Sequence, residues 1–111
     1  MKKREQRDLF PGALEMMILR TLERQPLHGY ALAQRIRRTS DDLLQIEEGS
    51  LYPALHRMDE HGWIRAEWVT QDTGHRARVY ELTAAGKKQL ANEESSWQAV
   101  TAAVYRVLRT V

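Results

Sequence analysis

The decisive stretch is EGSLYPALHRMDEHG, residues 48–62, followed by WIRAEWVTQDTGHRARVYEL, residues 63–82. In its first half, Leu51, Leu55 and Met58 fall at i, i+4 and i+7 and share one face of a helix. Ser50 is the expected N-cap, Pro53 is tolerated in a first turn, and Gly62 is a natural stop. Tyr52 and His56 lie four residues apart on a different face. From Trp63 to Val69 the period changes to two, with Ile64, Ala66 and Trp68 on one side and Arg65 and Glu67 on the other, as in a half-buried strand. Gln71-Asp72-Thr73-Gly74 supplies turn chemistry, and Arg78, Tyr80 and Leu82 return as a second strand with Tyr80 and Leu82 inward. The expectation is one exposed helix beside one basic β-hairpin. A helix of that width fits the major groove of DNA, and the hairpin tip reaches the flanking backbone.

Two helices are predicted upstream. Leu9 to Arg24 is the first, with Pro11 in its opening turn and Leu14, Met17, Ile18, Thr21 and Leu22 as a buried stripe. Pro26 and Gly29 end it. Tyr30 to Thr39 is the second, with Leu32, Ala33 and Ile36 inward and Arg35, Arg37 and Arg38 outward. Ser40-Asp41-Asp42 is a turn, and Leu43 to Ile46 is a short strand or an extended link. Downstream, Thr83 caps a final helix running to Val111, roughly 40 Å at about 1.5 Å per residue. Gly86 near its start points to a close backbone approach. Leu90, Trp97, Val104 and Val111 repeat every seven residues and Val100 and Val107 fill the d-type positions between, although Glu93 interrupts them. A small headpiece cannot cover so long a seam, so the helix is expected to pair with a second copy. The predicted fold class is therefore mainly α with a small β-hairpin: a winged helix-turn-helix over residues 1–83 and a dimerisation helix over 84–111.

Composition sets the outer bounds. The chain has 111 residues, 42% hydrophobic and 29% charged, enough for one modest core. It has no cysteine, which excludes disulfides and thiolate metal sites. Met1-Lys2-Lys3-Arg4 resembles the start of a signal peptide, but Glu5-Gln6-Arg7-Asp8 stands where an apolar run is required. With no membrane span either, a cytoplasmic location is expected. The net charge of +2 is unevenly spread. Residues 1–40 carry nine Lys/Arg against four Asp/Glu, whereas residues 41–62 carry one against six. That contrast suggests a basic face toward phosphate and an acidic face away from it.

Enzymatic chemistry has no foothold. There is no phosphate-binding glycine loop and no nucleophile elbow. His28, His56, His61 and His75 lack metal-ligand spacing, and no cofactor is expected. Glu47-Glu48 suits the positive end of the third helix. For DNA, Ser50, Tyr52, His56 and Arg57 supply hydroxyl, imidazole and guanidinium groups on the exposed helix face, and Arg57 can pair bidentately with guanine. An ion pair of Arg57 with Asp59 or Glu60 is the bland alternative. Arg76 and Arg78 are candidate wing contacts to phosphate.

The order of these elements resembles the PadR family of transcriptional regulators. Gly49-Ser50-Leu51-Tyr52-Pro53-Ala54-Leu55, then Met58, Gly62 and Ile64, is similar to that family's signature helix. His28-Gly29-Tyr30-Ala31-Leu32 is similar to the opening of its second helix. Gly74 to Tyr80 resembles its wing, and Leu82-Thr83-Ala84-Ala85-Gly86 its exit into the last helix. The resemblance covers roughly residues 9–90, and the single last helix resembles the short subfamily. Val79 and His75 depart from the family's usual aromatic and basic residues. The resemblance implies a homodimer on a pseudo-palindromic double-stranded operator, usually a repressor, with Ser50, Tyr52 and Pro53 at the helix start meeting DNA and Arg76 and Arg78 in the wing. It also implies a place where a small aromatic effector stacks between the long helices, for which Trp97 is the candidate. Two other readings stay open: a winged-helix protein-interaction module that ignores DNA, favoured by the acidic 41–62 segment, and a ligand sensor acting mainly through the dimer interface.

Overall fold

The computed structural model describes residues 12–110. In chain order the elements are α1 (Ala13–Arg24), β1 (Leu27–His28), α2 (Gly29–Thr39), α3 (Glu48–Glu60), β2 (Ile64–Thr70), β3 (Arg76–Leu82) and α4 (Ala84–Arg109). The predicted start of the first helix at Leu9 and Pro11, and the seam residue Val111, lie outside the described residues. Among the described residues no helix is long and apolar enough to cross a membrane.

The sheet has three strands, in the order β1-β3-β2, rather than the two of a hairpin. β1 is only two residues long, too short for a period of two to show, and it lies in the segment predicted merely to break the helix. It pairs antiparallel with β3 through Leu27 opposite Tyr80 and His28 opposite Val79. In the hairpin itself Ile64 faces Leu82, Ala66 faces Tyr80 and Trp68 faces Arg78. Directly opposed residues share a sheet face, so these six lie on one side. At the base that side is core, with Ile64 and Tyr80 buried. Farther out it leaves the core, and Trp68 is 56% exposed. The strand alternation was right, but burial stops halfway along it.

The core gathers Ile18, Leu19 and Leu22 of α1, Leu32 and Ile36 of α2, Leu51, Ala54, Leu55 and Met58 of α3, and Leu90 of α4 around that sheet base. The α1 stripe is rotated from its predicted centre. Leu19 is fully buried, whereas Leu14, Met17 and Thr21 are only partly covered. Met17 packs against the edge of the core, and with Thr21 it also lines an open groove toward α4. Leu43 to Ile46 is an extended link, with no strand.

The cap of α3 lies three residues earlier than predicted. Glu47 holds the N-cap position and Glu48 the first turn, next to the positive end of the helix dipole. Ser50 is thus the third helical residue, not the cap; its N–H bonds to the Glu47 carbonyl at 3.0 Å. Pro53 falls in the second turn, where its missing N–H leaves the Gly49 carbonyl without its usual partner. Gly49 is exposed, so water reaches that carbonyl and the helix continues to Glu60.

The joint between hairpin and last helix is held by backbone. Thr83 Oγ1 accepts from the Gly86 N–H at 3.0 Å and donates to the Gly62 carbonyl at 2.6 Å. The Thr83 N–H donates to the Trp63 carbonyl at 3.1 Å. A Cβ on Gly86 would stand 2.0 Å from that same carbonyl oxygen. The predicted close approach at Gly86 is therefore real, and its partner is rigid backbone. Gly86→Ala is expected to destabilise the protein by about 1–3 kcal/mol through overpacking. Gly49→Ala, where a Cβ meets nothing within 4 Å, should be neutral or add up to about 1 kcal/mol. Urea denaturation of both variants at one protein concentration checks the contrast.

Candidate nucleic-acid interface

The exposed face of α3 carries Ser50, Tyr52, Pro53, His56 and Arg57. Leu51, Ala54, Leu55 and Met58 anchor the opposite face and so fix the helix's rotation about its axis. Tyr52 is 42% exposed, and its ring lies against the first turn of α2. A Cβ on Gly29 would come within 2.7 Å of the Tyr52 hydroxyl and 2.8 Å of its Cε1. Gly29 is thus the space that Tyr52 needs. Beside it, His28 Nδ1 accepts from the Ala31 N–H at 3.2 Å and caps α2. His56 Nδ1 stands 3.8 Å from Glu60 Oε1 at an exposed position.

Tyr52 also lines a cleft of about 260 Å³ with His28, Gly29 and Tyr30 on one wall and Gln71, Ala77, Arg78 and Tyr80 on the other. The third helix and the hairpin are therefore brought to one surface, with the start of α2 between them. Burial of Tyr80 pushes its phenol above the ordinary range, with the Arg78 charge opposing the shift, so the ring stays neutral at physiological pH.

Arg57 goes elsewhere. Its Nη2 donates to Glu15 Oε2 of α1 at 2.8 Å. The partner is neither Asp59 nor Glu60, the ion pairs the sequence offered as the alternative to a guanine contact, because the guanidinium leans back across the helix pair. Spacing along α3 carries no information about a carboxylate 42 residues upstream. Arg57 stays on the exposed face, its side chain 55% accessible, while it pairs with Glu15.

The hairpin has two unlike faces. On the outer one Arg65 pairs with Glu81, which raises the Arg65 pKa further above its usual value. On the inner one, Arg76 and Arg78 stand against the Trp68 ring, with guanidinium carbons 5.1 Å and 5.7 Å from the ring centroid. Among the described residues neither arginine is paired with a carboxylate. Sequence reasoning placed Trp68 on the core side of its strand and missed this arrangement. The signal was the register: once Trp68 faces Arg78 across the turn, Arg76 follows two residues on along the same face.

The seam residues of α4 separate into two groups. Leu90 is buried in the headpiece core and is not available to a partner, which corrects its assignment to the dimer seam. The first turns of the helix are thus part of the headpiece, because α1 packs against them. Val100, Val104 and Val107 are exposed, as are Tyr105 and Leu108, which the heptad reading left out. Trp97 is half-buried at the rim of a groove of about 350 Å³, whose apolar walls include Met16, Met17, Ile36 and Leu44. Arg20 bridges α1 and α4 there, donating to both Glu94 carboxylate oxygens at 2.7 Å and pairing with Glu23. The Glu94 hydrogen bond holds the Arg20 pKa above its usual value.

A three-helix headpiece with a β-hairpin beside its third helix is the winged helix-turn-helix of transcriptional regulators. The model of the transcriptional regulator PadR-like family matches residues 18–92, and the chain belongs to that family. It is 31% identical over 87 residues to a transcriptional regulator of Mycobacterium tuberculosis, covering 78% of each chain. Among solved structures, it resembles a PadR family transcriptional regulator from Eggerthella lenta, with 30% identity, coverage of 90% of this chain and 85% of that one, and a TM-score of 0.78. It also resembles a transcriptional regulator from Clostridium thermocellum, with 26% identity, coverage of 86% and 92%, and a TM-score of 0.80.

Gly29→Ala separates the position of Tyr52 from the stability of the fold. The added methyl collides with a movable, part-exposed ring while improving the propensity of the first turn of α2. The midpoint of thermal unfolding should shift little, while the Tyr52 ring resonances move in NMR spectra. Unchanged ring resonances would show that the close packing is not maintained in solution.

Proposed function

We propose that this protein is a homodimeric, sequence-specific DNA-binding regulator that acts as a repressor. The observation that carries the reading is the shared cleft. Tyr52 of α3 and Arg78 of the wing face the same opening, so one duplex can meet both. In this reading Ser50, Tyr52, Pro53 and His56 enter the major groove, and Arg76 and Arg78 lie along the backbone or in the minor groove. Arg57 has a supporting part: it holds α3 to α1 through Glu15. The acidic pair Glu47 and Glu48 at the α3 N-terminus disfavours phosphate there, so phosphate contacts fall to the wing.

Dimerisation rests on the exposed apolar residues of α4. Val100, Val104 and Val107 continue the seam beyond Trp97, with Val111 next in the same register. Two copies joined along that seam present two third helices, and half-sites about 34 Å apart follow from one turn of the duplex. An effector reading is favoured by the groove beside Trp97, which has the size and apolar walls for a small flat aromatic compound. A ligand there would act on DNA binding by altering how α4 meets α1.

Two experiments test the reading. Affinity for duplex DNA should fall with salt, and Arg76→Ala should flatten the slope of log affinity against log salt by about 0.9 for one lost phosphate contact. A slope equal to wild type would remove the wing from the interface. Binding that ignores duplex DNA and survives high salt would select the protein-interaction reading instead. Val104→Glu would bury an unpaired charge from each copy in the proposed seam and should convert dimer to monomer in sedimentation velocity. An intact dimer from that variant would reject the α4 seam.

A further inference from the structure

We propose that Trp68 is a positioning residue for the wing, acting through Arg76 and Arg78; the inference rests on the wing contacts proposed above. A tryptophan in the outer half of an exposed hairpin, 56% accessible, contributes little to the core. Its ring nevertheless has a defined set of neighbours. Arg78 is its direct cross-strand partner, and Arg76 follows two residues on along the same face, opposite Thr70. Both guanidinium carbons lie within 6 Å of the ring centroid, at 5.1 Å and 5.7 Å. That is the range in which the negative face of an indole attracts a cation.

The physical consequence concerns order, not charge. An exposed arginine samples many rotamers, and ordering it on a phosphate costs conformational freedom each time the protein binds. Two neighbouring arginines on a hairpin also repel each other and spread apart. A shared aromatic surface opposes both effects. It holds the two guanidinium groups together on one side of the wing before DNA arrives, and it leaves their N–H edges free, because stacking uses the flat face and not the donors. The opposite face of the hairpin is unsuited to the same task, since Arg65 there is paired with Glu81. The wing is therefore a one-sided double cation whose direction is set by Trp68.

A double-mutant cycle tests this, using the full-length protein and a mixed-sequence duplex at low salt. Trp68→Ala is expected to weaken binding at least about threefold, through the ordering cost that returns to the two arginines, with about thirty-fold, the full worth of two exposed cation–π contacts, as the ceiling. Trp68→Phe, which keeps an aromatic face, should recover most of that loss. In an Arg76→Ala/Arg78→Ala background, Trp68→Ala should change affinity by less than about twofold, because the residue has nothing left to position. Equal losses in both backgrounds would overturn the proposal, since Trp68 would then touch DNA itself or support the whole fold. No loss in the wild-type background would overturn it as well. A second readout needs no DNA: the side-chain resonances of Arg76 and Arg78 should carry an upfield ring-current shift that disappears in Trp68→Leu. If the arginine pair proves irrelevant to DNA binding while that shift is present, the wing reading fails and the stacking stands. If the shift is absent while Arg76 and Arg78 matter for DNA, the positioning role fails and the wing reading stands.

Discussion

The arrangement of the whole molecule turns on one carbonyl, that of Trp63. It accepts from the Thr83 N–H and sits where any side chain on Gly86 would have to go. Through it, the end of α3, the start of β2, the end of β3 and the first turn of α4 share one point. Thr83 reinforces the joint by capping α4 and donating to the Gly62 carbonyl. A long helix attached through a flexible linker would point in many directions. Attached through a backbone contact with no room for a methyl group, it has one direction relative to the headpiece. In the proposed dimer, the spacing of the two headpieces would depend on that rigidity.

The charges are disposed with the same economy of position. Arg57 is tied to Glu15, Arg20 to Glu94 and Glu23, and Arg65 to Glu81. Each of these pairs joins neighbouring elements or strands, or neighbouring turns of one helix, and each is partly exposed. Such pairs contribute little to stability individually, but they use up cations that would otherwise compete for phosphate. Arg76 and Arg78 are treated differently, being held by an aromatic ring that leaves their hydrogen-bond donors free. The contrast between a basic N-terminal third and an acidic 41–62 segment is therefore a coarse guide. Which cations are available depends on their partners, and those partners come from distant parts of the chain.

Much of the fold was legible because its signals are local. Helical spacing located the core faces of α2 and α3, alternation located β2 and β3, and Thr83 and Gly86 announced the joint. Errors appeared where a local rule met a non-local neighbour. Ser50 looked like a cap because caps are commonly serine, yet Glu47 takes that place and the helix begins earlier. Leu90 fitted the heptad of the seam, yet it is buried in the core of its own headpiece. Leu27 and His28 have no periodicity to detect and become a strand only because the edge of β3 is there to pair with.

By itself, the sequence determined the four helices and the hairpin, their order, the buried faces of the middle helices and the family, since these depend on spacing and turn chemistry within short windows. Only the tertiary structure decided that Arg57 belongs to Glu15, that Gly29 makes room for Tyr52, and that Trp68 gathers Arg76 and Arg78. The reason is physical: side-chain partners are chosen by which surfaces meet when helices and strands pack. Periodicity along one element states which side faces inward but not what waits there.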